Sequence, residues 1–496
     1  MALTSSNVTS GFIDLATFDE IEKYLYGGPD ATAYFVRETR KSTWFTQVPV
    51  VLSRASGTPA FNQDWAVSIS RAGDYLLQSW LRLTTPTVQI TTAAGSTGHK
   101  SIRWTRNLMH NIIQECNITF NDLVAARFDN YHLDFWAAFT VPANKRNGYD
   151  NMVGNVSDLI DPHNADIAIP SYTLNLPLPF FFGRDSGVAL PTAALPYNEM
   201  RINFTFRDWT SLLILSTDDE TTANVQLSAD GSQLVGGVPT LGSCQVWANY
   251  AIVSNDERKR MACAPRDILI EQVQTAPRQS FTPSTNAAQS FDIRFSHAIK
   301  ALFFAVRNTT CKSEWSNYST VSPTVRFSGE GGDPIISFYP ATAADPILQT
   351  SLIYENTNRL SQMGSDYFSL VNPWYHAPTI PDVIGFHSYS YSLDFMTLDP
   401  LGSTNYGKLT NVSIVPEASA SAVTAAGGAG GAGTGYSTAQ TYEFIVTCIN
   451  NNIIRVSGGA LGLKNRKPKI GRRFNSCGKT IRDKRLNYHQ SAISIC

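Results

Sequence analysis

The stretch His110-Asn111-Ile112-Ile113-Gln114-Glu115-Cys116-Asn117-Ile118-Thr119-Phe120-Asn121 decides how this chain is read. Within it Ile112, Gln114, Cys116, Ile118 and Phe120 alternate with Ile113, Glu115, Asn117, Thr119 and Asn121. Side chains on a strand point to opposite faces in turn, so one face is buried and the other wet. The same period returns in Ile202, Phe204 and Phe206, set against Arg201, Asn203, Thr205 and Arg207. Phe291, Ile293 and Phe295 alternate with Asp292, Arg294 and Ser296, and Tyr389, Tyr391, Leu393 and Phe395 with Ser388, Ser390, Ser392 and Asp394. That is the pattern of antiparallel sheets packed as sandwiches. Tyr442 to Val456 differs, because Phe444, Val446 and Cys448 oppose Ile445 and Ile449. It predicts a central strand buried on both faces.

Working outward, the chain reads as two β-rich halves meeting at Ser254-Asn255-Asp256-Glu257-Arg258-Lys259-Arg260. A faint signature occurs in both. His110 is followed by Ile112 and Asn121, and His297, at the same spacings, by Ile299 and Asn308. A length of 496 residues suits two or three domains, and β sandwiches of roughly 200–250 residues are common. Helical signal is scarce. Phe12 to Tyr26 places Ile13, Thr17, Phe18, Ile21, Tyr24 and Leu25 on roughly one side before Gly27-Gly28-Pro29, predicting an amphipathic amino-terminal arm. Asn121 to Phe139, with Val124, Phe128, Tyr131 and Phe135, is a second helix candidate. Ile160 to Leu174 and Thr217 to Leu241 read as long loops.

Only 16% of residues are charged, below the usual ~25%, which suits a surface largely covered by other protein. The net charge of −1 hides an asymmetry: from Lys464 onward ten Lys and Arg face the single Asp483, leaving the rest at −10. A mildly acidic body with a basic tail argues against a sequence-specific nucleic-acid-binding domain. The amino terminus lacks the basic and apolar regions of a secretory signal, Ala2 excludes N-myristoylation, and no run approaches ~20 apolar residues. A cytosolic origin is the expectation. Seven cysteines (Cys116, Cys244, Cys263, Cys311, Cys448, Cys477, Cys496) show neither zinc spacing nor a disulfide framework, so buried free thiols are expected before Lys464. Seven Asn-x-Ser/Thr sequons, at Asn7, Asn117, Asn155, Asn203, Asn308, Asn317 and Asn411, are then expected to be unmodified.

Four local motifs invite chemistry, and each has a plainer reading. Gly428-Ala429-Gly430-Gly431-Ala432-Gly433 matches a nucleotide fingerprint by letter. It lies inside the Ala/Gly/Ser/Thr-rich span Ala418 to Gly435, with no helix-forming run behind it, and reads as a surface loop. Arg184-Asp185-Ser186-Gly187 lacks the order of a serine elbow and reads as a turn. Asp129 and His132 would share a helix face while Asp134 points elsewhere, so a structural histidine is favoured over a metal site. The aromatic cluster Asn372-Pro373-Trp374-Tyr375-His376-Ala377-Pro378 reads as a packed loop or subunit contact rather than a sugar platform. No catalytic, cofactor or metal residue is assigned, and none of the eight histidines pairs with another at H-x-x-x-H spacing.

Several blocks carry a family resemblance. Ser68-Ile69-Ser70-Arg71-Ala72-Gly73-Asp74-Tyr75-Leu76-Leu77 resembles a strand pair of the first jelly roll of large double-stranded DNA virus capsid proteins. Leu174 to Phe182, running on to Leu195 to Ile202, is similar to the block that closes that jelly roll. Arg266 to Gln274, Ile293 to Leu302 and Gly402 to Asn411 extend the likeness. Together they resemble the iridovirus capsid family, most closely that of invertebrate viruses, from about Val8 to Leu461.

The resemblance implies an all-β double jelly roll: an amino-terminal arm (1–30), a first jelly roll (31–253), a second (254–462) and a basic extension (463–496). It further implies a homotrimer with a pseudo-hexagonal outline that tiles an icosahedral shell in the virion, with no cofactor. Partners would be neighbouring trimers, minor capsid and penton proteins, and an internal membrane near the amino-terminal arm. Family members end shortly after a segment like Ser457-Gly458-Gly459-Ala460-Leu461-Gly462, whereas this chain runs on to Cys496. An extension without a selected role is favoured over a membrane- or DNA-touching tail, since any basic run attracts polyanions. A carbohydrate-binding β sandwich serving host attachment is the alternative function, and a β-sandwich hydrolase finds no carboxylate spacing to support it.

Overall fold

The computed structural model describes residues 2–463 apart from 38, 92–99, 166, 218–226, 264, 286–287, 328–332 and 429–438. The chain divides into two compact units, Met1–Trp44 and the remainder from Phe45. In the first unit the expected single helix is two, α1 (Ala2–Ala16) and α2 (Glu20–Tyr26). Asp19 causes the break: its backbone is extended and its carboxylate accepts the Glu20 N–H at 2.8 Å, starting a new helix. Gly27, again extended, ends α2 where the sequence places the stop.

From Phe45 the chain builds two sandwiches in succession. The first contains β1 (Phe45–Val51), β2 (Ser53–Ser56), β3 (Asp64–Ser68), β4 (Tyr75–Thr84), β5 (Lys100–Trp104), α3 (Leu108–Asn111), β6 (Ile113–Phe120), β7 (Leu123–Asp129), α4 (Asn130–Thr140), α5 (Ala143–Val153) and α6 (Ser157–Ile160). It continues with β8 (His163–Asn164), β9 (Thr173–Pro177), β10 (Met200–Phe206), β11 (Leu213–Thr217) and β12 (Cys244–Val253), after which α7 (Asn255–Cys263) leads away. The second contains β13 (Arg266–Thr275), β14 (Gln279–Phe281), β15 (Phe291–Asp292), β16 (Ala298–Asn308), β17 (Thr324–Phe327), β18 (Pro334–Ser337), β19 (Ile347–Tyr354) and β20 (Thr357–Gly364). A π-helical turn (Tyr367–Val371) runs into α8 (Asn372–His376), followed by β21 (His387–Ser390), β22 (Thr404–Asn405), β23 (Val412–Ala418), α9 (Ala420–Ala426), β24 (Tyr442–Ser457) and β25 (Ala460–Leu463).

The two sandwiches repeat one topology, that of a jelly roll. Sheet β1-β12-β4-β9 has its counterpart in β13-β24-β16-β21, and β3-β10-β6-β7 in β15-β23-β19-β20. The hairpins β6–β7 and β19–β20 turn through two residues with positive φ, Asn121 (48°) and Asp122 (64°) in one and Glu355 (46°) and Asn356 (64°) in the other. These are type I′ values, whose twist suits a two-residue hairpin. The duplicated His–Asn spacing is not part of this repeat. His110 precedes β6, whose counterpart is β19, whereas His297 precedes β16, whose counterpart is β4. The duplication is real, but that signature of it is coincidental.

Most strand assignments hold. Cys116, Ile118 and Phe120 pack with Ile202, Phe204 and Phe206 in the first core, and Phe291, Ile293 and Phe295 with Phe444, Val446 and Cys448 in the second. The alternation of β6 starts later than Ile112, because Ile113 and Glu115 pair with Phe206 and Thr205 and leave Gln114 as an exposed bulge. The expected helix Asn121–Phe139 begins only at Asn130. The Asn121-Asp122 turn forces a hairpin first, and Asp129 then caps α4 by accepting the His132 N–H at 2.9 Å. The serine face of 388–392 is not wet. All of β21 is buried, Ser390 and Ser392 donate to the carbonyls of Ser392 and Asp394, and Leu393 instead is 72% exposed. The first jelly roll is closed by β12, which pairs with both β1 and β4, rather than by the 174–202 block.

Candidate functional site, the seam between the jelly rolls

The seam forms because α4 of the first jelly roll lies on the outer face of the second one's β13-β24-β16-β21 sheet. Tyr131, Phe135, Ala138 and Phe139 recur at helical spacing on α4 and cluster with Ala301, Phe303 and Ala305 of β16 and Ile445 and Ile449 of β24. Ring centroids of Phe139 and Phe303 are 5.4 Å apart, and Phe386 meets Phe135 edge-on at 5.8 Å. The double-sided apolar pattern of β24 is thereby explained: Phe444, Val446 and Cys448 enter the second core while Ile445 and Ile449 face α4.

Buried charge flanks this apolar contact at three points. Glu314, with no exposed side-chain surface, forms an ion pair with Arg103 at 2.8 Å and accepts from Arg106 Nε at 3.0 Å. Burial alone would raise the Glu314 pKa, but the two guanidinium groups outweigh it and hold the carboxyl below its ordinary value. Asp134 accepts from His110 at 2.7 Å and Asn107 at 3.2 Å through Oδ1, and from Ser316 at 2.8 Å and Tyr318 at 2.9 Å through Oδ2. Glu271 of β13 accepts from fully buried Lys300 at 2.5 Å and pairs with Arg184, whose guanidinium lies 4.4 Å from the Trp136 ring. Trp315 is sandwiched between Arg207 at 3.5 Å and Arg307 at 4.1 Å. A buried ion pair is poor evidence of net stability but a strong constraint on geometry once its partners are in place.

Asp129, His132 and Asp134 do not converge: Asp129 caps α4, Asp134 holds the His110 network, and His132 Nδ1 has no hydrogen-bond partner. Among the described residues no group of three His, Cys, Asp or Glu side chains forms a metal cluster. Arg184 serves the Glu271 pair, and Ser186 opens a short 3-10 turn. His376 donates from Nδ1 to the Leu393 carbonyl at 3.0 Å, beside exposed Trp374 and Tyr375. Of the glycine-rich motif only Gly428 lies within the described residues; the reading of Ala418 to Gly435 as loop is corrected at its start by α9, which Ser419 caps. Cys116, Cys311 and Cys448 are buried free thiols and Cys244 a half-buried one; burial pushes Cys244 and Cys311 up to about 12. Asn308 and Asn317 are 1% exposed, and their amides donate inward. Neither is open to a glycan in the folded chain.

One constellation escaped the sequence reading. Ser365 Oγ and Asp345 Oδ2 lie 2.8 and 2.9 Å from His387 Nε2. Both use the same ring nitrogen, and Nδ1 has no partner. A hydrolytic triad needs its serine and carboxylate on opposite nitrogens, so this cluster cannot relay a proton. The seam charges Glu271, Lys300 and Glu314 were missed as well. The available signal was Lys300, a charge inside the apolar run Ile299-Lys300-Ala301-Leu302-Phe303.

His132 supplies a pH prediction. Burial, with Arg184 nearby, lowers its pKa from 6.5 to about 3. Folding therefore disfavours the protonated ring. The penalty is absent above pH 6.5 and grows as pH falls toward 3, at up to about 1.4 kcal/mol per unit. Its neighbours Phe128 and Trp136 are aromatic, so His132→Phe is expected to preserve stability at pH 7 and to flatten the acid loss over that window. Urea midpoints of both proteins at pH 7, 5.5 and 4.5 check this; a difference between the two that stays constant with pH would refute it.

The comparisons with known proteins agree with this architecture. A family model described as "Major capsid protein N-terminus" matches residues 33–253, and one described as "Large eukaryotic DNA virus major capsid protein" matches 257–462. The chain is 66% identical over 470 residues to the major capsid protein of Costelytra zealandica iridescent virus, covering 93% of this chain and 99% of that one. It is also 66% identical over 468 residues to that of Tipula iridescent virus, covering 92% and 98%. Among solved structures, a quasi-atomic model of the PBCV-1 virus capsid superposes with a TM-score of 0.67 at 20% identity, covering 88% of this chain and all of that one.

Proposed function

This chain belongs to the major capsid protein family of large eukaryotic DNA viruses, and from that premise we propose that it assembles as a homotrimer whose six jelly rolls form a pseudo-hexagonal building block of an icosahedral shell. Its role is structural rather than catalytic, as that of its relatives is, and its place is the virion. The observation that supports the trimer is the seam: a charge-locked contact fixes two copies of one topology side by side, so each chain is a rigid pair of similar lobes. Three such pairs related by a closed rotation leave no lobe unpartnered. Residues 31–253 and 254–462 are the two lobes of this reading. Neighbouring trimers, minor capsid and penton proteins would meet the outside of the block. Residues 1–30 would lie toward an internal membrane, and assembly would occur in the host cytoplasm.

Light scattering on the purified soluble protein tests the proposal. A mass near three times 54.5 kDa is expected, and a stable monomer would oppose it. The basic extension is expected to be dispensable for that mass, but the cut must respect β25: Leu463 pairs with Ile454, and the Gly458-Gly459 turn (φ 62° and 80°) returns the chain. Truncation after Leu463 should leave the oligomer intact, as the same scattering measurement would reveal. A truncated chain that stays monomeric would assign the extension a part in assembly.

A further inference from the structure

Two exposed surfaces of one chain are the counterparts of the two surfaces that meet in its seam. The seam joins the helix after β7 in the first jelly roll to the outer face of the second one's β13-β24-β16-β21 sheet. Its sheet side includes a row of residues in register across four strands, Thr275, Thr447, Phe303 and Ser388. In the second jelly roll, the helix that follows the matching hairpin strand β20 is the π-helical turn with α8. Its outward face carries Leu370 (51% exposed), Val371 (42%), Trp374 (71%) and Tyr375 (72%), and the His376 bond to the Leu393 carbonyl places exposed Leu393 beside them. Positions 370, 371, 374 and 375 share one helical face.

The counterpart of the covered sheet is β1-β12-β4-β9, and its outer face is open. Val51, Trp247, Trp80 and Pro177 lie in register across it, one from each strand. Their strand neighbours Val246, Leu81 and Leu176 point into the first core, which turns this row outward. Trp80 and Trp247 stack at 6.2 Å with their planes 10° apart. A cavity of about 510 Å³ opens next to them, lined by Trp80, Pro177, Gln78, Asn175 and Met152. Among the described residues, a single chain thus presents an exposed aromatic knob and a half-exposed aromatic-floored hollow. They are the equivalents of α4 and of the sheet it covers.

We propose that the Trp374–Tyr375 knob of one copy docks on the Trp80–Trp247 floor of the next, repeating between chains the contact made within each chain. The inference rests on the homotrimer reading and specifies its interface. Such a contact is heterologous, head to tail, and closes into a ring when the rotation per lobe divides the circle. Within-chain and between-chain contacts then alternate around the ring. The aromatic anchors at its centre are the residue types that carry most interface energy.

A photo-cross-linker replacing Trp374 in the full-length protein, with mixed 14N- and 15N-labelled copies, tests the docking together with the mass of Trp374→Arg/Tyr375→Arg and of Trp80→Arg. Cross-links from position 374 to the 78–82 or 245–249 peptides of a differently labelled copy are expected, with both arginine variants reduced from three copies to one at unchanged circular dichroism. If the unsubstituted protein is trimeric but cross-links land elsewhere, or within one copy, or both variants remain trimeric, the docking is wrong and the trimer stands. If the unsubstituted protein is itself monomeric, the trimer reading fails and the docking falls with it.

Discussion

Glu314→Ala is expected to cost the protein about 3–5 kcal/mol, because it strands two buried cations at once. Glu314 has no exposed side-chain surface, and its partners Arg103 and Arg106 are 2% and 11% exposed. Arg103 already has two buried nitrogens without a hydrogen-bond partner among the described residues. Arg106 would keep Tyr339 at 2.8 Å and the Ser316 carbonyl at 3.1 Å. Denaturant midpoints measure the effect, and a loss below about 1 kcal/mol would mean the pair is better solvated than its burial implies. The carboxyl also imposes a pH dependence. Its folded pKa is lowered, so its contribution is full above the unfolded value of ~4.3 and fades as pH falls through the folded one. The gap between wild type and Glu314→Ala should therefore narrow in acid.

Phe303→Ala should be comparably damaging, at about 3–5 kcal/mol, through lost apolar burial and the cavity left behind. Phe303 is fully buried on the α4 side of β16, with Phe139, Phe395 and Phe135 at 5.4, 5.7 and 6.0 Å. The hole opens between the jelly rolls rather than inside either core, so little backbone can collapse to fill it. Leu393→Ala provides the contrast, since at 72% exposed it removes no core packing in the single chain. Its effect on chain stability should stay within about 0.5 kcal/mol. Equal losses for the two variants would show that the seam is not a packed interior.

The strands were legible where one face meets a core and the other meets water. Ile202 to Phe206 and Phe291 to Phe295 satisfy that condition, and their alternation survives intact. It failed where a second protein layer covers the sheet. Ser388, Ser390 and Ser392 look like a wet face, yet β21 lies in the covered sheet; Ser390 and Ser392 donate to local backbone carbonyls, and the Ser388 hydroxyl is buried without a partner among the described residues. Asn121 to Phe139 misled for another reason: Val124, Phe128, Tyr131 and Phe135 keep helical spacing, but the left-handed Asn121-Asp122 pair imposes a hairpin that spacing cannot reveal. The pairs across the seam were illegible because Glu271 and Glu314 become partners of Arg184, Arg103 and Arg106 only after two domains come together. Glu314 and Arg103 stand more than two hundred positions apart. The sequence marks the aromatic cluster around Trp374 as a packed loop or subunit contact, and Trp374 and Tyr375 are exposed; the aromatic row at Trp80 and Trp247 emerged only from the strand register.

The central claim is that each chain is one third of a six-lobed block, and class averages from negative-stain images of the purified full-length protein test it most directly. Particles with a hexagonal outline, six lobes and a threefold axis are the predicted result. Two-lobed particles with no larger closed species at micromolar concentration would contradict it.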